Sequence, residues 1–241
     1  MQQRVALVTG ASRGIGAAIA RELSGQGYAV AVHYNRSDEA AQQLVASLPD
    51  AIAVQADMAD AQAVAGMVEQ VVAHYGRLDV LVNNAGVALW KLAMDTTVEE
   101  WDALFDVNVR GAFAATRAAL PHMIAGEGGS IINISSMWGQ VGASCEVAYS
   151  AAKAALIGMT KALAKEMGGA GIRVNCVCPG VIATDMMRGF DEATVTSLAE
   201  ETPLGRIGTP EDVAQTVAFL AGEGASFITG QVLGVNGGFV I

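Results

Sequence analysis

The sequence is poor in several features by which other classes of protein are recognised. Aromatic residues make up 5% and charged residues 16% of its 241 positions, and acidic side chains outnumber basic ones to give a net charge of −10. The phosphates of nucleic acid and an anionic membrane would repel such a chain, so neither is an expected partner. None of the three cysteines forms a Cys-x-x-Cys pair. We expect Cys176 and Cys178, which alternate along a predicted strand, to be small buried thiols rather than metal ligands.

Long apolar runs are also absent. Gly, Asp, Asn or Ser interrupts each run within about ten residues, well short of the roughly 20 that a membrane-spanning helix needs. The first predicted strand begins at Arg4, so we expect no signal peptide before it. With 52% hydrophobic residues the chain can bury a sizeable core. We therefore expect a single cytoplasmic domain over residues 1–241.

Predicted strands and helices alternate along the chain. The strands lie at 4–9, 28–33, 51–56, 78–83, 130–135, 172–178 and 232–235, and the helices at 14–26, 38–48, 61–75, 98–125 and 147–167. Strands as apolar as Val80-Leu81-Val82 are typical of a parallel sheet that is covered on both faces. The sequence therefore predicts an α/β fold, a Rossmann-type doubly wound parallel sheet of about seven strands with helices on both faces.

A glycine-rich segment, Thr9-Gly-Ala-Ser-Arg-Gly-Ile-Gly16, follows the first predicted strand. Glycines at this position allow a tight turn and a close approach of the backbone to a pyrophosphate, and the helix N-terminus favours negative charge. The segment therefore predicts a dinucleotide site. Its expected contacts come from Gly10, Ser12, Arg13, Gly14, Ile15 and Gly16.

The end of the second predicted strand indicates which dinucleotide binds. An acidic residue there would accept hydrogen bonds from a free ribose 2′-hydroxyl, but this chain has Tyr34-Asn35-Arg36-Ser37. Arg36 and Arg13 could clamp a 2′-phosphate, with Asn35 beside them. The sequence therefore favours NADPH, and the alternative is that both arginines are solvated surface charges.

Three residues with side chains suited to acid catalysis have a suggestive spacing. Tyr149 and Lys153 lie at i and i+4 of a predicted helix, and Ser136 lies thirteen residues before Tyr149. Because i and i+4 share a helix face, we expect the Lys153 ammonium to favour the ionised phenol, which would make Tyr149 a proton donor near neutral pH. Ser136 would stabilise a substrate carbonyl, and Ser135 competes with it for this role.

Taken together, these motifs resemble the short-chain dehydrogenase/reductase family over nearly the whole chain, and most closely its bacterial 3-oxoacyl-thioester reductases. The resemblance implies that Tyr149 protonates a ketone, that Lys153 bonds the nicotinamide ribose, and that Asn108 holds a water connecting Lys153 to solvent. Further cofactor contacts are implied at Asp57, Met58, Asn84, Ala85, Gly86, Pro179, Gly180, Ile182 and Thr184. For Asn83, bonding to neighbouring backbone and contact with the ligand are equally open.

The resemblance also implies a homotetramer. Small side chains at 111–115 and 151–155 would let helices of neighbouring subunits approach closely, and the apolar end at 237–241 could pack across a second two-fold axis. The alternative is that these small residues pack against the sheet of their own subunit.

The identity of the ketone is less determined. We expect substrate contacts from Trp90, Trp138, Glu146, Met186 and Met187, the last two within a predicted mobile lid at 185–209, for which an ordinary helical excursion is the alternative. Two segments depart from the pattern of acyl-carrier-protein reductases. Residues 87–91 lack a Thr-Arg/Lys-Asp pattern, and residues 126–130 lack an arginine. The negative charge also disfavours steering of an acidic carrier protein.

Two further functions stay open beside a 3-oxoacyl thioester. Residues 136–149 resemble the active-site loop of a subgroup that reduces a 5-aminopentanone group on a lysine of elongation factor P. Trp90 or Trp138 would face its ammonium and Glu146 would be the counter-charge, unless the tryptophans pack the lid and Glu146 is solvated. The other function is a non-enzymatic NADP(H)-binding sensor, which the complete set of catalytic side chains disfavours.

Overall fold

A parallel seven-stranded sheet forms the centre of the protein in its computed structural model, which describes residues 3–187 and 189–241 apart from the side chain of Met186. The strands are β1 (Val5–Val8), β2 (Ala29–Tyr34), β3 (Ala51–Gln55), β4 (Val80–Asn83), β5 (Gly129–Ile134), β6 (Ile172–Pro179) and β7 (Val232–Val235). Their spatial order is β3-β2-β1-β4-β5-β6-β7, and every neighbouring pair is parallel. The predicted doubly wound α/β fold is confirmed.

Helices cover both faces of the sheet. They are α1 (Gly14–Gly25), α2 (Asp38–Ala46), α3 (Ala61–Tyr75), α4 (Val98–Phe105), α5 (Gly111–Ala125), α6 (Trp138–Val141), α7 (Val147–Met167), α8 (Glu192–Glu201) and α9 (Pro210–Ala221). One core joins the sheet to α1, α2 and α9, and a second joins it to α3, α5 and α7. Strands buried on both faces must be apolar throughout, which explains the runs seen in the sequence.

The order of the strands reverses between β1 and β4. The chain first winds outward from β1 to β3, then returns to place β4 on the other side of β1. In sheets of this kind the loops at the carboxyl ends of the central strands separate at the reversal and leave a crevice. The glycine-rich segment and Asn84 both follow strands at this crevice.

One predicted helix is interrupted. The sequence predicts a continuous helix over 98–125, whereas the structure has a π-helical turn at Asp106–Arg110 between α4 and α5. A π turn inserts an extra residue into the helical repeat and re-aims the side chains around it. It carries Asn108, which is buried. The prediction of a continuous α-helix was therefore wrong at the segment that positions a candidate functional residue.

The predicted lid segment lies outside the sheet. It contains a 3₁₀ turn at Asp185–Met187 and then α8, whose first turn is capped by the side chain of Asp191. Gly208, near its end, forms an isolated parallel bridge with Ile182. That this segment moves as a lid stays a prediction. No helix in the described part of the chain is long and apolar enough to cross a membrane.

Candidate active site

The glycine-rich turn after β1 has space for backbone only. Gly10 has φ +62°, and a Cβ added to it would lie 2.8 Å from the Cα of Ala85. A Cβ on Gly16 would collide with the carbonyl oxygen of Gly10. These two glycines therefore let β1, α1 and the loop after β4 pack closely at the reversal of strand order.

The N-terminus of α1 has no side-chain cap. Arg13, at the N-cap position, is extended and makes no capping hydrogen bond. Since the first amides of a helix have no partner within the helix, the amides around Gly14, Ile15 and Gly16 are suited to an anion. Half-buried Ser12 lies at the same turn. This donor set fits the pyrophosphate of a dinucleotide.

The predicted basic clamp lies at the end of β2. Arg13 Nη1 donates to the Ser37 hydroxyl at 3.3 Å, and Arg13 Nε lies 3.6 Å from a carboxylate oxygen of Asp185. Arg36 and Asn35 are exposed beside this contact, and the Asn35 carbonyl accepts from Gln55. The structure therefore brings Arg13 next to the segment of Arg36, where a ribose 2′-substituent was expected.

A hydroxyl that the sequence did not single out organises the loop after β4. Thr9 Oγ1 accepts from the amides of Asn84 and Ala85 at 2.9 and 3.0 Å, and donates to Val82. The side-chain amide of Asn84 in turn donates to the carbonyls of Thr9 and Gly10. Asn84 therefore braces the glycine-rich turn.

Asn83 has a structural role. Its buried amide donates to Thr116 Oγ1 at 3.0 Å and to Asn133 Oδ1 at 2.8 Å, which joins β4, α5 and β5. Of the two interpretations of Asn83, the structure supports bonding within the protein. Its partners are side chains, however, rather than the neighbouring backbone.

The two residues after β3 that were expected to contact adenine differ in exposure. The Asp57 side chain is exposed and accepts from the amide of Ala59 at 2.9 Å, while Met58 is buried. Met58 also packs under α5, since a Cβ on Gly111 would meet the Met58 backbone at 2.5 Å. Gly111 thus serves packing within the subunit, as the alternative to a subunit contact supposed.

The candidate catalytic side chains converge at the carboxyl ends of β4 and β5. Ser136, just after β5, forms a hydrogen bond with the phenol of Tyr149. The Lys153 ammonium lies 5.6 Å from the centre of the Tyr149 ring. A Cβ added to Gly86 would lie 3.3 Å from Lys153 Nζ and 3.2 Å from Asn108 Oδ1. The four predicted catalytic residues therefore lie around one point.

Asn108 fastens the loop after β4 to the π turn. Its amide donates to the Val87 carbonyl at 2.9 Å, and its Oδ1 accepts from the Val87 amide at 2.8 Å. This paired contact uses both ends of the Asn108 amide group and fixes the backbone beside Gly86. The predicted water-holding role is not tested by these contacts.

Burial, rather than the Tyr149–Lys153 pair, controls the acidity of both groups. It raises the pKa of Tyr149 to about 12, and the charge of Glu146 adds to this, while the hydrogen bond to Ser136 opposes it. Burial lowers the pKa of Lys153 to about 8. Lys153 Nζ donates to the carbonyl of Ile134 at 2.9 Å. The expectation that Lys153 lowers the phenol's pKa is wrong for this arrangement, because its ammonium faces the ring and β5.

The structure separates the two candidate serines. Ser135 Oγ is buried and donates to the carbonyl of Lys153 at 2.7 Å, so it joins β5 to α7. Ser136 Oγ accepts from the amide of Trp138 at 3.1 Å and faces Tyr149. Only Ser136 is placed beside the phenol, in agreement with the spacing argument.

The segment after β6 closes the other side of a cleft. Pro179 ends β6, the Gly180 amide donates to Val235, and buried Ile182 bridges to Gly208. Thr184 then faces the N-terminus of α1, since a Cβ on Gly14 would lie 3.6 Å from its methyl group. A cleft of about 410 Å³ lies between them, lined by Gly14, Ala183, Thr184, Asp185, Met187, Val195 and Ile207.

The predicted substrate residues are less uniformly placed. Met187 lines the cleft, and the side chain of Met186 lies outside the described residues. Trp90 is 75% exposed. Trp138 packs edge-on against Phe239 with ring centres 6.0 Å apart. Of the two tryptophans, Trp138 is therefore partly committed to holding the C-terminal segment.

Glu146 is a half-buried carboxylate near Tyr149 whose pKa burial raises. Its neighbour across an isolated bridge, Lys91, does not neutralise it, because Lys91 Nζ bonds both oxygens of Glu100 at 2.9 Å. Glu100 is fixed in turn by the capping box of α4 with Thr97. The carboxylate of Glu146 thus has no basic partner among the residues that the structure describes.

Two of the three cysteines are buried in β6. Cys176 and Cys178 are buried free cysteines on β6, as the sequence predicts. Within residues 3–187 and 189–241, no three His, Cys, Asp or Glu side chains form a group that could hold a metal ion.

Comparisons with known proteins agree with this geometry. Residues 10–240 match a family model described as enoyl-(acyl carrier protein) reductase. The chain is 45% identical over 237 residues to the 3-oxoacyl-[acyl-carrier-protein] reductase FabG of Staphylococcus aureus N315, covering 97% of this chain and 96% of that protein. It is 44% identical over 243 residues to the 3-oxoacyl-[acyl-carrier-protein] reductase of Synechocystis, covering 99% and 97%. An uncharacterized oxidoreductase of Methylorubrum extorquens is 44% identical over 248 residues, covering 99% and 98%.

Proposed function

The chain belongs to the short-chain dehydrogenase/reductase family, oxidoreductases that act on CH–OH and C=O groups, and on that premise we propose that it reduces a 3-oxoacyl thioester with NADPH. The observation that carries the proposal is the convergence of Ser136, Tyr149 and Lys153 beside a backbone-only turn at the N-terminus of α1. The relatives named as 3-oxoacyl reductases support the substrate class.

Backbone and basic groups would hold the cofactor. The amides at the start of α1 would bind its pyrophosphate, Arg13 and Arg36 its 2′-phosphate, Asp57 and Met58 its adenine, and Ile182 and Thr184 its carboxamide. When bound, NADPH supplies the hydride for the reaction. Gly14 and Thr184 both line the cleft, which supports this orientation.

The side chains of the protein would supply the proton and stabilise charge. As a hydride adds to the ketone carbon, the carbonyl oxygen gains negative charge, which the Ser136 hydroxyl stabilises. Tyr149 donates its phenolic proton to that oxygen and completes a secondary alcohol. A phenol with a pKa of about 12 is protonated throughout the neutral range, so Tyr149 begins each reduction as an acid.

Lys153 would return the proton to Tyr149. Its pKa of about 8 lies close to neutral, so the ammonium can give up and regain a proton at little cost. Asn108 Oδ1 and Lys153 Nζ both lie near Gly86, so Asn108 would hold the water through which Lys153 exchanges protons with solvent.

An assay of NADPH oxidation against three thioesters tests this function. We expect turnover of acetoacetyl thioester and little turnover of crotonyl thioester, because Tyr149 is placed to protonate an oxygen. Faster reduction of the crotonyl C=C bond would contradict a ketone reductase and support the description of the matching family model. A thioester with no ketone or C=C bond gives the background rate.

A second substrate is favoured by one observation, the Glu146 carboxylate, which has no basic partner among the described residues. A ketone that carries an ammonium, such as the 5-aminopentanone group on elongation factor P, would pair with this carboxylate next to Tyr149. Modified elongation factor P and acetoacetyl thioester, assayed at equal concentration, separate the two substrates. A higher kcat/KM for the modified factor would replace the thioester as the proposed substrate.

The homotetramer and the cytoplasmic location stay predictions, and a sensor without activity stays an alternative to this function. For the assembly, a Cβ on Gly158 of α7 would meet nothing within 4 Å, so this position is open to a neighbouring helix. A sensor without activity would bind NADPH but reduce none of the ketones in the assay.

A further inference from the structure

A buried histidine lies beneath the glycine-rich turn, and none of the roles proposed above uses it. His33, near the end of β2, is 1% exposed. A buried imidazole is costly unless its nitrogens are hydrogen bonded. Both are: the amide of Gly10 lies 2.9 Å from Nδ1, and the carbonyl of Ala56 lies 3.1 Å from Nε2.

These two partners determine the tautomer of the ring. A backbone amide can only donate, so Nδ1 must accept from Gly10 and carries no proton. A carbonyl can only accept, so Nε2 must carry the proton that it donates to Ala56. The neutral ring protonated at Nε2 satisfies both contacts. A doubly protonated ring would point an N–H at the N–H of Gly10, so protonation must break that contact.

The same residue holds two consecutive amides of the turn. The ring accepts from Gly10, and the backbone carbonyl of His33 accepts from Ala11 at 2.8 Å. Both amides are therefore directed into the protein, which leaves the amides at the start of α1 to face the crevice. On its other side the ring fixes Ala56, which directly precedes Asp57. One side chain thus joins the two segments assigned to the pyrophosphate and the adenine.

We propose that His33 is a positioning residue of the dinucleotide site, whose neutral ring fastens the glycine-rich turn to the end of β3 and whose protonation releases the turn and weakens dinucleotide binding. The proposal rests on the proposed dinucleotide-dependent function and adds a dependence on pH to it.

The charged surroundings of His33 set the direction of that dependence. Burial lowers its pKa, and the hydrogen bond to Ala56 and the charge of Asp57 oppose this. β1 and β3 offer no titratable side chain, and Arg13 follows the turn that the ring holds. On the face of the sheet that His33 shares, α3 begins after Asp60 and carries Glu69, His74 and Tyr75. Because the folded pKa lies below the ordinary 6.5, the ring is neutral at pH 7. The ordered turn is lost as the pH falls from 6.5 through the folded pKa.

The test compares the pH profiles of the wild type and His33→Gln. A glutamine amide can accept from Gly10 and donate to Ala56, but it does not titrate. Dissociation constants for NADH are measured by fluorescence titration between pH 5 and 8. NADH is used because the 2′-phosphate of NADPH titrates at about pH 6 and would add its own dependence. His74→Gln, at an exposed position of α3, is the matched control.

We expect the dissociation constant of the wild type and of His74→Gln to rise up to about tenfold for each pH unit below the His33 pKa, while that of His33→Gln stays nearly constant. Parallel profiles for wild type and His33→Gln would overturn the proposal and leave the proposed function intact. Failure of the wild type to bind either NADH or NADPH at any pH would overturn both.

The wild-type protein alone gives a second test that needs no variant to fold. Nitrogen-15 NMR of the histidine rings at pH 7.5 should show His33 as the neutral tautomer protonated at Nε2. A proton on Nδ1 at this pH would contradict the deduced hydrogen bonds and overturn the proposal.

Discussion

The two sides of the candidate active site are built differently. On the cofactor side, the site is formed mostly by backbone groups and glycines. Hydrogen bonds join Gly10, Thr9, His33 and Asn84 to one another. On the substrate side, side chains such as Trp90 and Glu146 are exposed or half-buried and have few partners among the residues that the structure describes. The fold therefore fixes the candidate cofactor side, whereas we expect substrate choice to depend on a few replaceable side chains.

Removing the proton donor, which lies between the two sides, should have the largest effect on kcat. Tyr149→Phe should lower kcat by about 10²–10⁴-fold, because the ring is kept while general-acid catalysis is lost. The dissociation constant of NADPH should change little, since the cofactor side is untouched. Steady-state kinetics and fluorescence titration measure the two quantities. More than about a tenth of the wild-type kcat would exclude Tyr149 as the acid.

The paired serines give the next largest effect. Ser136→Ala should lower kcat by about 10²–10³-fold, as is typical when one donor to a developing oxyanion is removed. Ser135→Ala is the matched control, because its hydroxyl bonds the Lys153 carbonyl inside the protein. We expect it to lower stability by about 1–3 kcal/mol in urea unfolding, with a smaller loss of kcat. A reversed order of the two kcat values would assign the oxyanion role to Ser135.

Changing the basic clamp of Arg13 and Arg36 should alter the preference between NADPH and NADH alone. Each charge-assisted contact to a 2′-phosphate contributes about 1.5–3 kcal/mol, so NADPH should be preferred over NADH by more than tenfold in kcat/KM. Arg36→Asp should shift the preference toward NADH without changing the choice of ketone. Equal kcat/KM values for the two cofactors in the wild type would refute the clamp.

The smallest effect is expected on the substrate side. Glu146→Gln keeps the shape of the side chain but removes its charge, so kcat/KM should fall by about threefold to tenfold for a ketone bearing an ammonium. For a neutral 3-oxoacyl thioester it should stay level or rise. Measuring both substrates with both proteins separates charge recognition from a general loss of activity. Equal losses for the two substrates would show that Glu146 only supports the loop.

The sequence predicts the features that depend on local patterns and misses those that depend on contacts between distant residues. The seven strands, the glycine-rich turn and the grouping of Ser136, Tyr149 and Lys153 depend on local patterns and could be predicted. The bracing by Thr9 and Asn84 joins residues 75 positions apart, so no local pattern reveals it. His33 was missed because a single polar residue in an apolar strand has no motif, although its burial without a partner would have been costly.

Two expectations failed for reasons of packing. The first is the continuous helix predicted over 98–125. The π turn at Asp106–Arg110 contains no Gly or Pro that would have marked the interruption, and Gly111 comes only after it. The spacing of Tyr149 and Lys153 places them on one helix face, but only the three-dimensional packing shows that Lys153 Nζ donates to Ile134. Burial then governs both pKa values, which a spacing argument cannot supply.

Transfer of deuterium from the cofactor to the product is the most direct test that the protein reduces a ketone. The protein would be given NADPH deuterated at C4 on either face of the ring, with acetoacetyl thioester as the ketone. We expect one of the two labelled cofactors to deliver a single deuterium to C3 of a 3-hydroxyacyl product, as measured by mass spectrometry. A product without deuterium at C3 from either cofactor would contradict ketone reduction by this site.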